Sequence, residues 1–180
     1  KELKQKNIKV VHVVSSIKFA IKAESSGVDA IVAEGFEAGG HNGIEETTTM
    51  CLVPDVAKAI NVPLIAAGGI IDGKSMLAAM ILGADGVQMG TRFVASKESS
   101  AHENFKNMVL KAKEGDTRLT LKEITPVRMM KNKFFQEVEE LYKTSPSKEQ
   151  LLNKLGRGRA KLGMFEGDLE AGELEIGQAS

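Results

Sequence analysis

Four short apolar runs alternate with longer amphipathic segments in roughly the first half of the chain. Each run is bounded by Gly, Pro or Asp and mostly lacks polar alternation, which is typical of strands buried on both faces of a parallel sheet. The segments between them repeat apolar residues at helical spacing, so that strand follows helix as in βαβ units. The predicted strands span residues 8–14, 30–33, 62–67 and 86–89, and the predicted helices span 17–24, 50–60 and 75–82.

Two of the predicted joints between a helix and the next strand share one pattern. Gly27 precedes Asp29 and an apolar strand, and Gly83 likewise precedes Asp85 and an apolar strand. Glycine tolerates the left-handed backbone that ends many helices, so the chain can turn directly into the sheet. We therefore expect two equivalent, repeated joints.

After about residue 100 the chain becomes strongly charged, and its pattern changes. Helical stretches are predicted over 103–113, 128–143 and 148–155. The sequence thus predicts strand–helix units over residues 1–100, a small, mostly helical subdomain over 101–164, and a separate last segment over 165–180. Within the second stretch an amphipathic stripe is expected to pack in a core. The stripe consists of Phe134, Phe135, Val138 and Leu141.

Composition and charge exclude several classes of protein. The chain has 24 Lys and Arg against 24 Asp and Glu, so no net field attracts nucleic acid or anionic lipid. No apolar run approaches the ~20 residues of a membrane helix, and the polar start does not resemble a signal peptide. Cys51 is the only cysteine, so no internal disulfide can form and a cytoplasmic location is expected. The chain neither begins with Met nor shows a clear terminator, so we expect a piece of a longer protein.

The loop after the second predicted strand contains the main candidate for catalysis. It spans residues 34–43 and places three glycines around His41. Such a loop lets the backbone approach a ligand and directs one imidazole into the site, although a turn with a capping histidine remains an alternative. One histidine and two nearby carboxylates make a weak metal site, so no metal is predicted. His12 and His102 are expected to be structural or solvated.

Two glycine turns follow the third and fourth predicted strands. Residues 68–75 match the phosphate-binding loop of nucleotide hydrolases. However, Asp72 would place a carboxylate among the phosphates, and no other strand ends in the aspartate expected to hold magnesium. In many (β/α)₈ barrels two neighbouring turns hold one phosphate, and the second turn here contains Gly90 and Thr91. The barrel site is favoured, with a P-loop hydrolase as the remote alternative.

Taken together, these motifs closely resemble the nitronate monooxygenase (2-nitropropane dioxygenase) family, which includes FMN-dependent enoyl-ACP reductase II enzymes. The resemblance runs from about residue 8 to the end and rests on residues 37–41, 66–70, 83–93 and 98–99. It implies an α/β fold, a TIM (β/α)8 barrel of which this chain is the C-terminal half only, with about four strands. The N-terminal half would come from a preceding segment or a second chain, and a homodimer is compatible with this arrangement.

The resemblance also implies a cofactor, a catalytic residue and a reaction. His41 matches the family's catalytic histidine, and Gly177 and Gln178 resemble a late element near the site. By this resemblance residues 1–100 would be the C-terminal half of the FMN-binding barrel, and residues 165–180 a return segment toward the active site. The implied reaction is the oxidation of alkyl nitronates with dioxygen, and an NAD(P)H-dependent enoyl-ACP reductase is the alternative. The substrate would therefore be a small molecule or an acyl thioester, with no nucleic acid or membrane partner. The residues implied to bind FMN are Glu34, Gly39, Gly68, Gly69, Gln88, Met89, Gly90 and Thr91.

Overall fold

A computed structural model describes residues 2–178 of the protein. The chain divides into two compact units. The first contains the chain up to Met89 apart from Gly39–His41, and the second contains Gly39–His41 together with the chain from Gly90 onward. In chain order the elements are α1 Glu2–Gln5, β1 Val11–Val14, α2 Ile17–Ser25, β2 Ala30–Glu34, β3 Gly40–His41, α3 Thr49–Ala59, β4 Leu64–Ala67, α4 Gly73–Ile81, β5 Gly86–Gln88, α5 Thr91–Val94, α6 Glu103–Lys111, β6 Thr117–Thr120, β7 Val127–Met130, α7 Lys133–Tyr142, α8 Lys148–Leu155 and α9 Arg159–Met164.

The first unit is a parallel four-stranded sheet in which the strands follow one another in the order β1-β2-β4-β5. The alternation of strands and helices predicted from the sequence is confirmed, although the first strand begins at Val11, later than predicted. Burial on both faces holds for the central strand β2, because Ile31 and Val32, which point to opposite faces, are both buried. The edge strand β1 differs, because Val11 and Val13 on it are exposed.

The two repeated joints are equivalent, as predicted. Gly27 and Gly83 have φ angles of 86° and 106°, the left-handed region that favours glycine. The carboxylate of Asp29 accepts the backbone N–H of Val10 at 2.9 Å, and that of Asp85 accepts the backbone N–H of Leu64 at 2.8 Å. Each aspartate therefore attaches the start of its own strand to the neighbouring strand. This hydrogen bond is the main reason why the pKa of Asp29 is lowered.

The second unit contains an antiparallel three-stranded sheet in the order β3-β7-β6. The prediction of one helical stretch over 128–143 is wrong at its start, because β7 occupies Val127–Met130 and helix α7 begins at Lys133. Asn132 is the N-cap of helix α7, and its side chain accepts the backbone N–H of Phe135 at 2.9 Å. The region predicted to be mostly helical thus also contains a sheet, whose central strand pairs with Gly40 and His41 far away in the sequence.

The hydrophobic stripe of helix α7 lies in a core, as predicted. Phe134, Phe135 and Val138 are buried, and Leu141 packs against them. Helix α8 has the predicted bounds and adds the buried Leu151 to the same core. Between residues 2 and 178, none of the helices has the length and apolar character needed to cross a membrane.

Candidate active site

One edge of the parallel sheet gathers several of the predicted cofactor residues. Glu34, Ala67 and Gln88 end three neighbouring strands and are paired in register, so they form one row across the sheet. Gly68 and Gly69 follow directly after Ala67. The carboxyl ends of parallel strands are where α/β enzymes form their sites. The tertiary structure therefore brings these predicted residues together within the first unit.

The glycine turn after β4 requires glycine for two reasons. Gly68 and Gly69 have φ angles of 100° and 68°, which side chains of L-residues rarely tolerate. A Cβ atom on Gly68 would also lie 2.8 Å from the carbonyl oxygen of Gly35 and 2.9 Å from the hydroxyl of Thr49. The turn is consequently a stretch of backbone without side chains, of the kind that can approach an anion closely.

Glu37 ties the loop after β2 to the start of helix α3. Its carboxylate accepts the backbone N–H of Thr49 at 2.9 Å, and the Thr49 hydroxyl lies 2.9 Å from the same carboxylate oxygen. That hydroxyl also lies 2.9 Å from the carbonyl oxygen of Gly68. A carboxylate at a helix N-terminus is favourable because the orphan N–H groups there carry partial positive charge. Glu37 therefore has a structural role that the sequence analysis did not assign.

The remaining strand-end residues of the first unit differ in exposure. Glu34 is partly buried, and this burial raises the pKa of its carboxyl group, so the group keeps its proton to higher pH than an exposed glutamate and can then donate a hydrogen bond. Gln88 is exposed at the end of β5. Met89 is partly buried and packs against the hydrophobic core, so its side chain stabilises the fold.

The N-terminus of helix α4 is capped by two side chains, those of Asp72 and Ser75. The Asp72 carboxylate accepts the backbone N–H of Ser75 at 2.8 Å, and the Ser75 hydroxyl accepts the backbone N–H of Asp72 at 3.0 Å. This capping box lowers the pKa of Asp72, mainly through the backbone hydrogen bond from Ser75. Lys74 is exposed. A P-loop enzyme needs this helix end and the serine hydroxyl for phosphate and magnesium, so the arrangement argues against that alternative.

In the second unit, His41 lies in the short strand β3 opposite Val127. Its side chain is 65% exposed, and its Nδ1 atom lies 4.0 Å from Oε1 of Glu175. A Cβ atom on Gly40, which has a φ of 78°, would lie 3.0 Å from Oε2 of the same glutamate. The predicted catalytic histidine is thus paired with a carboxylate that the sequence analysis missed.

The residues on either side of this pair are also brought together. A Cβ atom on Gly39 would lie 2.4 Å from the carbonyl carbon of Ile176, so only glycine fits there. The backbone N–H of Gly177 donates to the hydroxyl of Thr91 at 3.0 Å. Around Gly90 a Cβ atom would meet nothing within 4 Å. Gly39, His41 and Thr91 therefore all meet the segment from Glu175 to Gly177.

A second glutamate lies close to this pair. Burial and the nearby charge of Glu175 raise the pKa of Glu173 to about 7, while Arg159 opposes the shift. The guanidinium of Arg159 donates to the carbonyl oxygens of Leu155 and Ala171 and lies over the ring of Phe134. Two acidic residues separated by a buried leucine were the only sequence signal for this arrangement. Among the residues that the structure describes, no group of three or more His, Cys, Asp or Glu could hold a metal.

A parallel strand–helix unit with a side-chain-free turn at its strand ends, and a loop histidine facing a carboxylate, are the features of an α/β enzyme. The chain belongs to the nitronate monooxygenase family, whose model matches residues 1–180.

Similar proteins agree with this assignment. Over 176 residues the chain is 40% identical to a probable nitronate monooxygenase of Staphylococcus saprophyticus, covering 90% of this chain and 49% of that protein. It superimposes on FabK from Thermotoga maritima with a TM-score of 0.88 and 43% identity, covering 98% of this chain and 56% of that one. For a nitroalkane oxidase from Streptomyces ansochromogenes the TM-score is 0.77 and the identity is 29%, and the match covers 98% of this chain and 53% of that one. The chain spans about half the length of the curated relatives it matches.

Proposed function

We propose that this chain is the C-terminal half of an FMN-dependent oxidoreductase with a TIM (β/α)8 barrel, which oxidises alkyl nitronates with dioxygen. The observation that carries the proposal is the row of strand ends at Glu34, Ala67 and Gln88 with the adjoining turn at Gly68 and Gly69. Each new strand is added on the same side of the previous one. That is the order of a barrel, whereas a doubly wound sheet reverses direction.

The surface of the first unit supports the proposal of a half barrel. Val11 and Val13 are exposed on the edge strand β1, and Phe19 and Ile21 are exposed on α2. Unpaired strand edges and contiguous apolar surface are rarely left open in a soluble protein. We propose that the N-terminal half of the barrel, from a preceding segment or a second chain, covers them. The coverage of about half of each relative fits this arrangement.

The strand-end turn fits a cofactor with one terminal phosphate. Two consecutive left-handed glycines leave backbone amides uncovered by side chains, which suits a phosphate oxygen. The Thr91 hydroxyl accepts the N–H of Gly177, so its own proton can still be donated to an oxygen. When bound, FMN supplies the electron acceptor for the reaction. On the family resemblance, the residues proposed to hold it are Glu34, Gly39, Gly68, Gly69, Gln88, Met89, Gly90 and Thr91.

The proposed role of His41 is acid–base chemistry. Its imidazole is largely exposed, so a substrate can reach it. Toward a neutral nitroalkane it would remove the proton from the carbon next to the nitro group, which yields the nitronate; toward a nitronate it would stabilise the anion by a hydrogen bond. Both roles need one correctly oriented ring nitrogen within hydrogen-bond distance of the substrate.

A second candidate is an NAD(P)H-dependent enoyl-ACP reductase. The observation that favours it is the similarity to FabK, which is higher in both identity and TM-score than the similarity to the nitroalkane oxidase. In that reaction His41 would assist protonation of the α-carbon. An acidic carrier protein would be met by basic residues. However, Arg159 donates to backbone carbonyls and Lys161 pairs with Glu166 at 3.0 Å. Of the basic residues considered for such a patch, Lys131, Lys133 and Arg157 are therefore the ones proposed to meet the carrier.

The two reactions are separated by assays on the intact enzyme. Denatured enzyme should release FMN. With propyl nitronate and no NAD(P)H, oxygen uptake is expected, since the nitronate itself is the reductant. NAD(P)H oxidation that depends on a crotonyl thioester, without oxygen uptake on the nitronate, would establish the second candidate. An enzyme that releases no flavin and cannot be reconstituted with FMN would contradict both.

A further inference from the structure

We propose that Glu175 is a positioning residue for His41, whose carboxylate holds the imidazole proton on Nδ1 so that Nε2 presents its lone pair to the substrate. The inference rests on the proposed acid–base role of His41. The two side chains face each other with Nδ1 4.0 Å from Oε1. Such contacts are often long in the absence of substrate and shorten when it binds.

The backbone around Glu175 is held by contacts on several sides, which fixes the position from which its side chain extends. Leu174 and Ile176 on either side of it are buried in a hydrophobic core. The carbonyl oxygen of Leu174 accepts the backbone N–H of Met130 at 2.9 Å, and the backbone N–H of Gly177 donates to Thr91. Because the backbone of Glu175 is fixed in this way, its carboxylate can orient the imidazole of His41.

Gly40 brings the histidine to this carboxylate. Its left-handed backbone and the 3.0 Å between its Cβ position and Oε2 of Glu175 mean that a side chain there would press on the carboxylate. His41 follows immediately and is fixed by its pairing with Val127 in the sheet. Gly40 therefore allows His41 and Glu175 to lie close together, in addition to giving the loop flexibility.

The charges around Glu175 favour its ionised form over that of its neighbour. Burial raises the pKa of Glu175, and the opposing influence is His41. Glu173 in the same segment has its pKa raised to about 7, partly by the charge of Glu175. Arg159 of α9 acts on Glu173, and the buried Arg128 of β7 lies opposite Gly40. The charge of Glu175 thus favours the protonated form of Glu173, whereas His41 favours the ionised form of Glu175.

A carboxylate beside Nδ1 changes which nitrogen carries the proton. A neutral imidazole has one N–H and one lone pair, and the partner of one nitrogen determines the state of the other. In water the imidazole of histidine favours the proton on Nε2. An acceptor at Nδ1 reverses this preference and leaves Nε2 as the base.

The test uses the full-length enzyme and the pair Glu175→Gln and Glu173→Gln, which make the same change two residues apart. With ¹⁵N-labelled histidine, the His41 signals are identified as those that disappear in His41→Ala. We expect Nδ1 to be protonated in the wild type and in Glu173→Gln, and the proton to move toward Nε2 in Glu175→Gln. With a neutral nitroalkane, whose proton His41 would remove, we expect kcat/KM to fall about tenfold to a hundredfold in Glu175→Gln. We expect partial recovery in Glu175→Asp and a change within about twofold in Glu173→Gln.

The pH profile gives a second readout that a purely structural role would not change. If Glu175 must be ionised to orient His41, its protonation contributes to the fall of log kcat/KM of the wild type at acid pH, and the profile of Glu175→Gln has a smaller slope because this carboxyl group is absent. An unchanged His41 tautomer in Glu175→Gln, or an unchanged slope, would overturn the proposal. Full turnover by His41→Ala would refute the role of His41, while the tautomer measurement would still show whether Glu175 orients it.

Discussion

The backbone N–H of Gly177 donates a hydrogen bond of 3.0 Å to the hydroxyl of Thr91, although the two residues are 86 positions apart. The bond fixes the direction of the hydroxyl, whose own proton then points away from Gly177. We expect Thr91→Val to release FMN more readily, with a Kd about tenfold higher, because a hydrogen bond to a charged group contributes about 1.5–3 kcal/mol. Thr91→Ser keeps the hydroxyl and should retain the flavin. Equal flavin content in Thr91→Val and the wild type, measured by absorbance after gel filtration, would contradict the proposed contact.

His41→Ala should leave flavin content close to the wild type and lower turnover about 10²–10⁴-fold, the usual contribution of general acid–base catalysis. The measurement is oxygen uptake on a nitroalkane together with the flavin-to-protein ratio. His102→Asn is a suitable control. His102 caps helix α6 by accepting the backbone N–H of Asn104 at 3.1 Å, and asparagine also caps helices. Unchanged turnover in His41→Ala would reduce His41 to a loop residue.

Lys74→Ala should leave activity nearly intact, because Lys74 is exposed beside the capping box of Asp72 and Ser75. In a P-loop enzyme the same change removes the charge on the phosphates, with a large loss of nucleotide hydrolysis. The check is turnover of the flavin reaction together with any ATP hydrolysis. An ATPase activity that is lost in Lys74→Ala would be incompatible with the flavoenzyme.

Gly69→Val should weaken FMN binding, since it puts a branched side chain where the phosphate is proposed to approach. Gly69 also has a φ of 68°, so valine adds backbone strain. Gly69→Asn separates the two effects, because asparagine tolerates this conformation better. We expect both variants to bind FMN less tightly, as measured by fluorescence titration, and only Gly69→Val to melt clearly earlier as the apoprotein. Wild-type affinity in Gly69→Asn would exclude a close approach of the phosphate at this residue.

Glu173→Gln should make the enzyme more stable above neutral pH. The pKa of Glu173 is raised by burial from its ordinary 4.5 to about 7. The folded state therefore holds this proton more tightly, and its contribution to stability is present below about pH 4.5 and is lost as the pH rises through about 7. We expect the thermal midpoints of the wild type and Glu173→Gln to diverge as the pH rises from about 4.5 to about 7. The corresponding difference in the free energy of unfolding is about 2 kcal/mol, once solvent screening of the partly exposed carboxylate is allowed for. Parallel midpoints from pH 5 to pH 8 would show that Glu173 does not titrate there.

The amino-acid sequence by itself determined the parallel strand–helix repeat and the strand-end turn. Both follow from local causes: apolar runs too short for helices, glycines at helix ends, and aspartates such as Asp29 and Asp85 that attach one strand to the next. The ends of parallel strands share one edge of a sheet, so the strand pattern alone was enough to group Glu34, Gly68 and Gln88. The family resemblance added the cofactor and the histidine, which a glycine-rich loop alone left undecided.

The tertiary structure decided what His41 contacts and where the second unit changes from strand to helix. Val127–Met130 has a composition that also suits a helix, and it becomes a strand because β6 pairs with all four of its residues and because Gly40 and His41 pair with it from far away in the sequence. The same pairing places His41 beside Glu175. Neither contact leaves a periodic signal, because residues that meet only through packing of distant segments need no fixed spacing along the chain. Glu173 and Glu175 look like ordinary surface acids in the sequence. Burial in the fold raises the pKa values of both, and the charge of Glu175 raises that of Glu173 further.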